Sequence, residues 1–142
     1  MTSKGLVVYY SATGNTKSVA EMFPSSLYDI VSAKSLDLSK LNNYNVIVLG
    51  MSTWQRGMPP KVFQKIAPYL QGLKDKTFYL FGSGRIEYEY YCGALDLFEE
   101  VLNRQNRVEG VLKYEGYPSN NTAIEAHRFI TYINDKLEER LV

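Results

Sequence analysis

Leu6-Val7-Val8-Tyr9-Tyr10-Ser11-Ala12-Thr13-Gly14-Asn15-Thr16 passes from an apolar run through a polar hexapeptide into a helical pattern. A continuous apolar run is what a strand covered on both faces presents. The hexapeptide from Ser11 to Thr16 then crowds hydroxyl and amide side chains around a glycine at a helix entrance. Such a loop aims unpaired backbone N–H groups at one point, where the helix dipole favours an anion. The hydroxyls of Ser11, Thr13 and Thr16 add donors, and Gly14 lets the backbone approach closely. The same residues also read as a polar loop with a good N-cap, since Asn15 or Thr16 caps a helix whatever is bound. Neither the Gly-x-x-x-x-Gly-Lys pattern nor three spaced glycines is present. A single terminal phosphate held by neutral donors suits this loop better.

Outward from that stretch, apolar runs alternate with helical patterns, which predicts an α/β protein with a mostly parallel sheet. Strands are expected at about Leu6 to Tyr10, Leu27 to Val31, Val46 to Met51, Thr77 to Phe81 and Val108 to Tyr114. Helices fit at Thr16 to Phe23, stopped by Pro24, then Pro60 to Gln71, Cys92 to Gln105 and Asn121 to Arg140, with a short turn of helix around Leu38 to Leu41. LVVYY, VIVLGM and TFYLF are nearly all apolar and belong at the centre; LYDIV and VEGVLKY mix in charge and belong at the edges. Right-handed crossovers then favour a doubly wound five-stranded sheet of order 2-1-3-4-5, helices on both faces, with its direction switch between strands 1 and 3.

The chain has 142 residues, 45% of them hydrophobic and 22% charged, which predicts one domain over residues 1–142 with a substantial core. A formal net charge of +1, with Lys and Arg spread along the chain and no basic stripe, argues against nucleic-acid binding. Cys92 is the only cysteine and His127 the only histidine, so an internal disulfide, a cysteine cluster and a two-histidine metal site are excluded. A hydrolytic triad is a poor fit, and His127 reads as a solvated or packing residue of the last helix. A reduced, cytoplasmic setting is expected, without membrane insertion or an export signal.

Ligands of such sheets sit at the carboxyl ends of the strands beside the switch. There the hexapeptide is joined by Ser52-Thr53-Trp54-Gln55-Arg56-Gly57 after strand 3 and by Gly82-Ser83-Gly84-Arg85-Ile86-Glu87-Tyr88 after strand 4. Trp54, the only tryptophan, stands in a polar loop, where it either faces a flat partner or folds down over the helix beginning at Pro60. Tyr88 precedes the next helix and is free to face the same pocket, whereas Tyr91 and Leu95 at helical spacing enter the core. Two aromatics beside a monophosphate cradle describe a clamp for a planar ring joined to one phosphate. Flavin mononucleotide (FMN) has that shape.

Over essentially its whole length the chain resembles the flavodoxins: SATGNT is similar to their phosphate loop, STWQRG to the loop of the inner stacking tryptophan, and YEYYCGALD to the segment of the outer stacking tyrosine. The fifth strand lacks the inserted loop of long-chain members, as in the short-chain kind. By this resemblance Ser11, Ala12, Thr13, Gly14, Asn15, Thr16 and Ser52 would hold the phosphate, and Trp54 and Tyr88 would sandwich the ring within loops that include Thr53, Gln55, Arg56 and Gly57. Backbone groups of Ser83, Gly84, Arg85 and Cys92 would meet its pyrimidine edge. No catalytic residue and no metal ligand is implied. The resemblance implies a monomeric FMN-dependent low-potential electron carrier, rather than an enzyme, that uses its semiquinone/hydroquinone couple. It would pass electrons from a flavodoxin/ferredoxin-type reductase or a photosystem to reductive acceptor enzymes.

Two departures from that family stand out. Neither Gln55 nor Arg56 is glycine where a peptide flips toward the flavin N5, so a turn demanding positive φ there costs about 1 kcal/mol and semiquinone stabilisation should be modest. Flavodoxins are typically strongly acidic, whereas this chain is nearly neutral and puts Arg56 and Arg85 in its two flavin loops. Other readings are a flavodoxin-like activator of a ribonucleotide reductase metal centre, an NAD(P)H quinone reductase, which a tyrosine lid would obstruct, and a flavin-free response-regulator-like module. The last would want clustered acids where Ser11 and Ser52 stand.

Overall fold

The computed structural model describes residues 4–10, 14–52, 58–84, 92–115 and 120–139. Five strands, β1 (Gly5–Tyr9), β2 (Tyr28–Ser32), β3 (Val46–Ser52), β4 (Thr77–Gly84) and β5 (Arg107–Glu115), form one parallel sheet of order β2-β1-β3-β4-β5. This is the expected switch-point topology, with β2 and β5 at the edges. The sheet divides the core in two because successive side chains of a strand point to opposite faces. Leu6, Ile47, Leu49 and Leu80 pack on one face with Phe63 and Leu95. Val7, Val48 and Phe81 pack on the other with Val19 and Ile133. Both faces being covered is why LVVYY and VIVLGM show no polar alternation.

Helices α1 (Asn15–Ala20) and α4 (Asn120–Glu139) supply the second cluster, and α2 (Lys61–Gln71) and α3 (Gly93–Leu102) the first. In α4 the buried residues Ala126, Ile130, Ile133 and Leu137 recur every three or four positions, a single stripe on an otherwise polar helix. No helix among the described residues is long and apolar enough to cross a membrane. His127 lies on the exposed side of α4.

Boundaries moved where tight turns replaced the last helical residues. Helix α1 ends at Ala20, short of Phe23, and Met22 and Phe23 donate instead to Val19 and Ala20, three residues back, at 3.0 and 3.2 Å. That tightening drives Phe23 into the core against Tyr28, ring centroids 5.0 Å apart and nearly perpendicular. Helix α3 stops at Leu102, before the expected Gln105, and the chain turns on Asn106. The buried Asn106 carboxamide accepts from Lys76 N–H and donates to Leu73 C=O, both at 2.9 Å. The expected turn near Leu38 is a 3-10 segment, Leu38–Asn43, preceded by another at Ala33–Ser35. Strand β5 is continuous apart from one bulge, where Phe78 pairs with Val108 and Tyr79 with Gly110.

Candidate functional site

The carboxyl ends of β1, β3 and β4 are brought side by side by the register: Tyr9 pairs with Gly50, and Ser52 with Ser83. The three loops singled out in the sequence therefore leave neighbouring strands at the same end of the sheet. Of the predicted residues, Gly14, Asn15, Thr16, Ser52, Ser83, Gly84 and Cys92 are described. Ser11, Ala12, Thr13, Thr53, Trp54, Gln55, Arg56, Gly57, Arg85 and Tyr88 lie outside the described residues, as does Tyr91.

Helix α1 opens at Gly14, whose φ of 92° is left-handed and costs glycine nothing. The Gly14 carbonyl accepts from the Ser18 amide at 3.0 Å and from Ser18 Oγ at 2.9 Å. The amides of residues 15–17 precede the first intrahelical bond, so the helix itself offers them no acceptor. Beside them, the Thr16 side chain is 1% exposed, and its Oγ1 makes no hydrogen bond of good geometry, although the Tyr114 hydroxyl stands close enough to feel it. The Tyr114 hydroxyl, reaching over from β5, donates to the Asn15 carbonyl at 3.3 Å. Burial pushes that phenol above its ordinary value against the opposing effect of the Thr16 hydroxyl, so Tyr114 stays neutral. Sequence reasoning missed Tyr114, which reads as one more alternating strand residue until the fold carries it to α1.

An orphaned, buried hydroxyl is costly, and few are found in folded proteins. At a helix N-terminus it is a donor waiting for an acceptor, and a phosphate monoester oxygen meets that need together with the free amides. The chemistry of this end of the sheet thus fits a phosphorylated cofactor.

On the far side, the loop after β4 is closed at its root. A Cβ on Gly84 would come within 2.8 Å of Cys92 N and 3.1 Å of its Sγ, so glycine is needed for the two ends to touch. Cys92 itself is left-handed, φ 52°, caps α3, is fully buried and points its thiol at Gly82 C=O, 3.7 Å away. As read from the sequence, it is a small packing group. Ser83 is buried and Ser52 half-buried at the end of their strands. A groove of about 630 Å³ follows the outer edge of β2, lined by Tyr28, Asp29, Asp37 and Tyr44 among others, and contains none of the predicted site residues.

These features place the molecule among the doubly wound α/β proteins that seat a phosphorylated cofactor at the topological switch. The family model described as "Flavodoxin" matches residues 7–128. A flavodoxin from Maridesulfovibrio salexigens is 34% identical over 135 residues, covering 86% of this chain and 92% of the relative. The crystal structure of oxidised flavodoxin 2 from Bacillus cereus superposes with a TM-score of 0.84 at 30% identity, covering 94% and 99% of the two chains. The Fusobacterium nucleatum flavodoxin, solved bound to flavin mononucleotide, shares the fold at a TM-score of 0.76 and 16% identity, covering 94% and 98%. The chain belongs to the flavodoxin family, FMN-binding electron carriers without a substrate turnover of their own.

Proposed function

We propose that this flavodoxin holds FMN at the end of the sheet described above and works between a reductase or photosystem and a reductive acceptor enzyme, on the more negative of its two one-electron couples. In this reading the loop of residues 11–16 and Ser52 bind the phosphate, Trp54 and Tyr88 flank the ring, and backbone groups of Ser83, Gly84, Arg85 and Cys92 meet its polar edge. Thr53, Gln55, Arg56 and Gly57 complete the tryptophan loop. The chain acts as a single, monomeric domain, and its lone thiol suits a reducing compartment.

The observation that carries the reading is the unpartnered Thr16 hydroxyl at the start of α1. Thr16 would donate to a phosphate oxygen, the amides of the first turn would join it, and Gly14 would leave the backbone room beside the ligand. Tyr114, neutral and bonded to Asn15, holds the turn without adding charge to the anion site. Bound FMN supplies two successive one-electron transfers. The protein's part is to hold the reduced and oxidised forms with unequal affinity, each tenfold ratio moving a one-electron potential by about 59 mV.

The test compares FMN with riboflavin, which lacks the phosphate. Apoprotein titrated by flavin fluorescence quenching should bind FMN far more tightly, and Thr16→Val should weaken FMN about tenfold while leaving riboflavin unchanged. Equal loss for both ligands would remove Thr16 from the phosphate site.

A further inference from the structure

Lysines scattered along the sequence are gathered by the fold. Lys34, from the 3-10 segment after β2, and Lys61 and Lys65, one turn apart on α2, surround Tyr10 and Val62 at a cavity of about 260 Å³. Lys34 Nζ lies over the Tyr10 ring, 5.2 Å from its centroid. All three lysines are exposed. Several other basic groups are paired: Lys4 with Asp29, Lys17 with Glu21, Arg107 with Glu109, Lys113 with Asp96, Lys136 with Glu139. Lys34, Lys61 and Lys65 have no ion pair among the described residues. Helix α2 contains no acid, and Lys61 and Lys65 stand in its first turns, where the helix dipole disfavours cations. Three like charges without an ion pair among the described residues share this patch, and an acidic surface placed over them would relieve their repulsion.

The cluster also borders the cofactor end of the sheet. Tyr10 donates its amide to Gly50 C=O at 3.0 Å and immediately precedes the phosphate loop, and Lys61 follows the tryptophan loop by four residues. The neighbouring helix α3 carries Glu99 and Glu100, with Asp96 paired to Lys113.

We propose that Lys34, Lys61 and Lys65 around Tyr10 form the docking surface for an acidic electron-transfer protein, whose carboxylates pair with the three ammonium groups and bring its redox centre to the flavin end. The proposal rests on the electron-carrier reading above. Charge complementarity selects the partner, and its attraction should weaken steeply with salt.

Cytochrome c in two forms tests it: the native protein is basic, and succinylation of its lysines makes the same fold acidic. With 15N-labelled protein at low ionic strength, the succinylated form should shift the amides of Lys34, Lys61, Val62 and Lys65, and about 0.5 M salt should abolish the shifts. A Lys34→Glu, Lys61→Glu, Lys65→Glu variant should lose them. It should also reduce succinylated cytochrome c about tenfold or more slowly, one electron passing from the reduced holoprotein to each ferric haem, with its FMN spectrum unchanged. Shifts confined to other residues, or an undiminished rate in the variant, would overturn the proposal. So would a single-stranded oligonucleotide shifting the same amides at lower concentration. The amide map needs no flavin, so a chain that refuses FMN but shows these shifts would defeat the electron-carrier reading and leave the docking surface standing.

Discussion

Thr16 and Val19 lie one turn apart on α1 and are equally hidden from water, yet only the valine is chemically at home there. Replacing the threonine hydroxyl by a methyl group should therefore stabilise the FMN-free protein by about 1 kcal/mol, because an unpaired buried donor disappears. Thermal unfolding of apo Thr16→Val should show a higher midpoint than the parent, opposite in sign to its effect on FMN affinity. Outside the described residues, two expectations stand on the sequence. Gln55→Gly should raise the potential of the first electron, measured by dithionite titration, since glycine accepts a positive φ without the ~1 kcal/mol cost. Arg85→Asp should make the second couple more negative by adding anionic surroundings to an anionic reduced cofactor. Thr16 could be proposed from sequence because a hydroxyl at a strand-to-helix junction has a local signature. Tyr114 was not, since its role depends on β5 lying beside β4 and on α1 crossing that face, 99 residues away in the chain.

At the scale of elements, apolar runs and their order were readable because each strand is bounded by polar loops and buried on both faces. Helix ends were not, because they were decided by individual tertiary bonds. Asn106 illustrates this: nothing in "NRQNR" distinguishes it from Asn103, yet its carboxamide ties the turn before β4 to the turn before β5. Asn106→Ala leaves Lys76 N–H and Leu73 C=O without their partner and should cost about 1–3 kcal/mol in urea unfolding, with the m-value unchanged. Helix α2 offers the reverse case. Lys61 is its first residue, after Pro60, and Lys61→Glu replaces a disfavoured charge by a favoured one, which should raise stability by about 0.3–1 kcal/mol at low salt and less at high salt.

Across the whole molecule, binding and ionisation both act on the folding equilibrium. FMN binds only the folded chain, so free cofactor at about a hundredfold over its Kd should add about 2.7 kcal/mol and shift the melting temperature upward with concentration. At alkaline pH the buried phenols matter. Burial, with a 2.6 Å hydrogen bond to Asp29 and that carboxylate's charge, pushes Tyr44 up to about 12 from its ordinary 10.0. A raised folded value means the contribution is intact below pH 10 and lost as pH climbs through about 12. Tyr44→Phe should be slightly less stable at neutral pH, having lost the hydrogen bond, and should decline less steeply over that alkaline window. The overall charge reading from composition was correct as a sum and blind to arrangement, since Lys34 joins Lys61 and Lys65 in one patch only after folding.

The apolar stripe of α4 has a consequence for biosynthesis. Tyr28 on the edge strand bonds Asn134 of this helix at 2.7 Å, and residues of α4, which follow all five strands in the sequence, complete the half of the interior that Val19, Ala20 and Phe23 begin to cover. A chain still lacking that segment leaves the part of this face that Ile130, Ile133 and Leu137 cover open to water. Closure of this half of the interior therefore waits on a helix that follows every strand of the sheet.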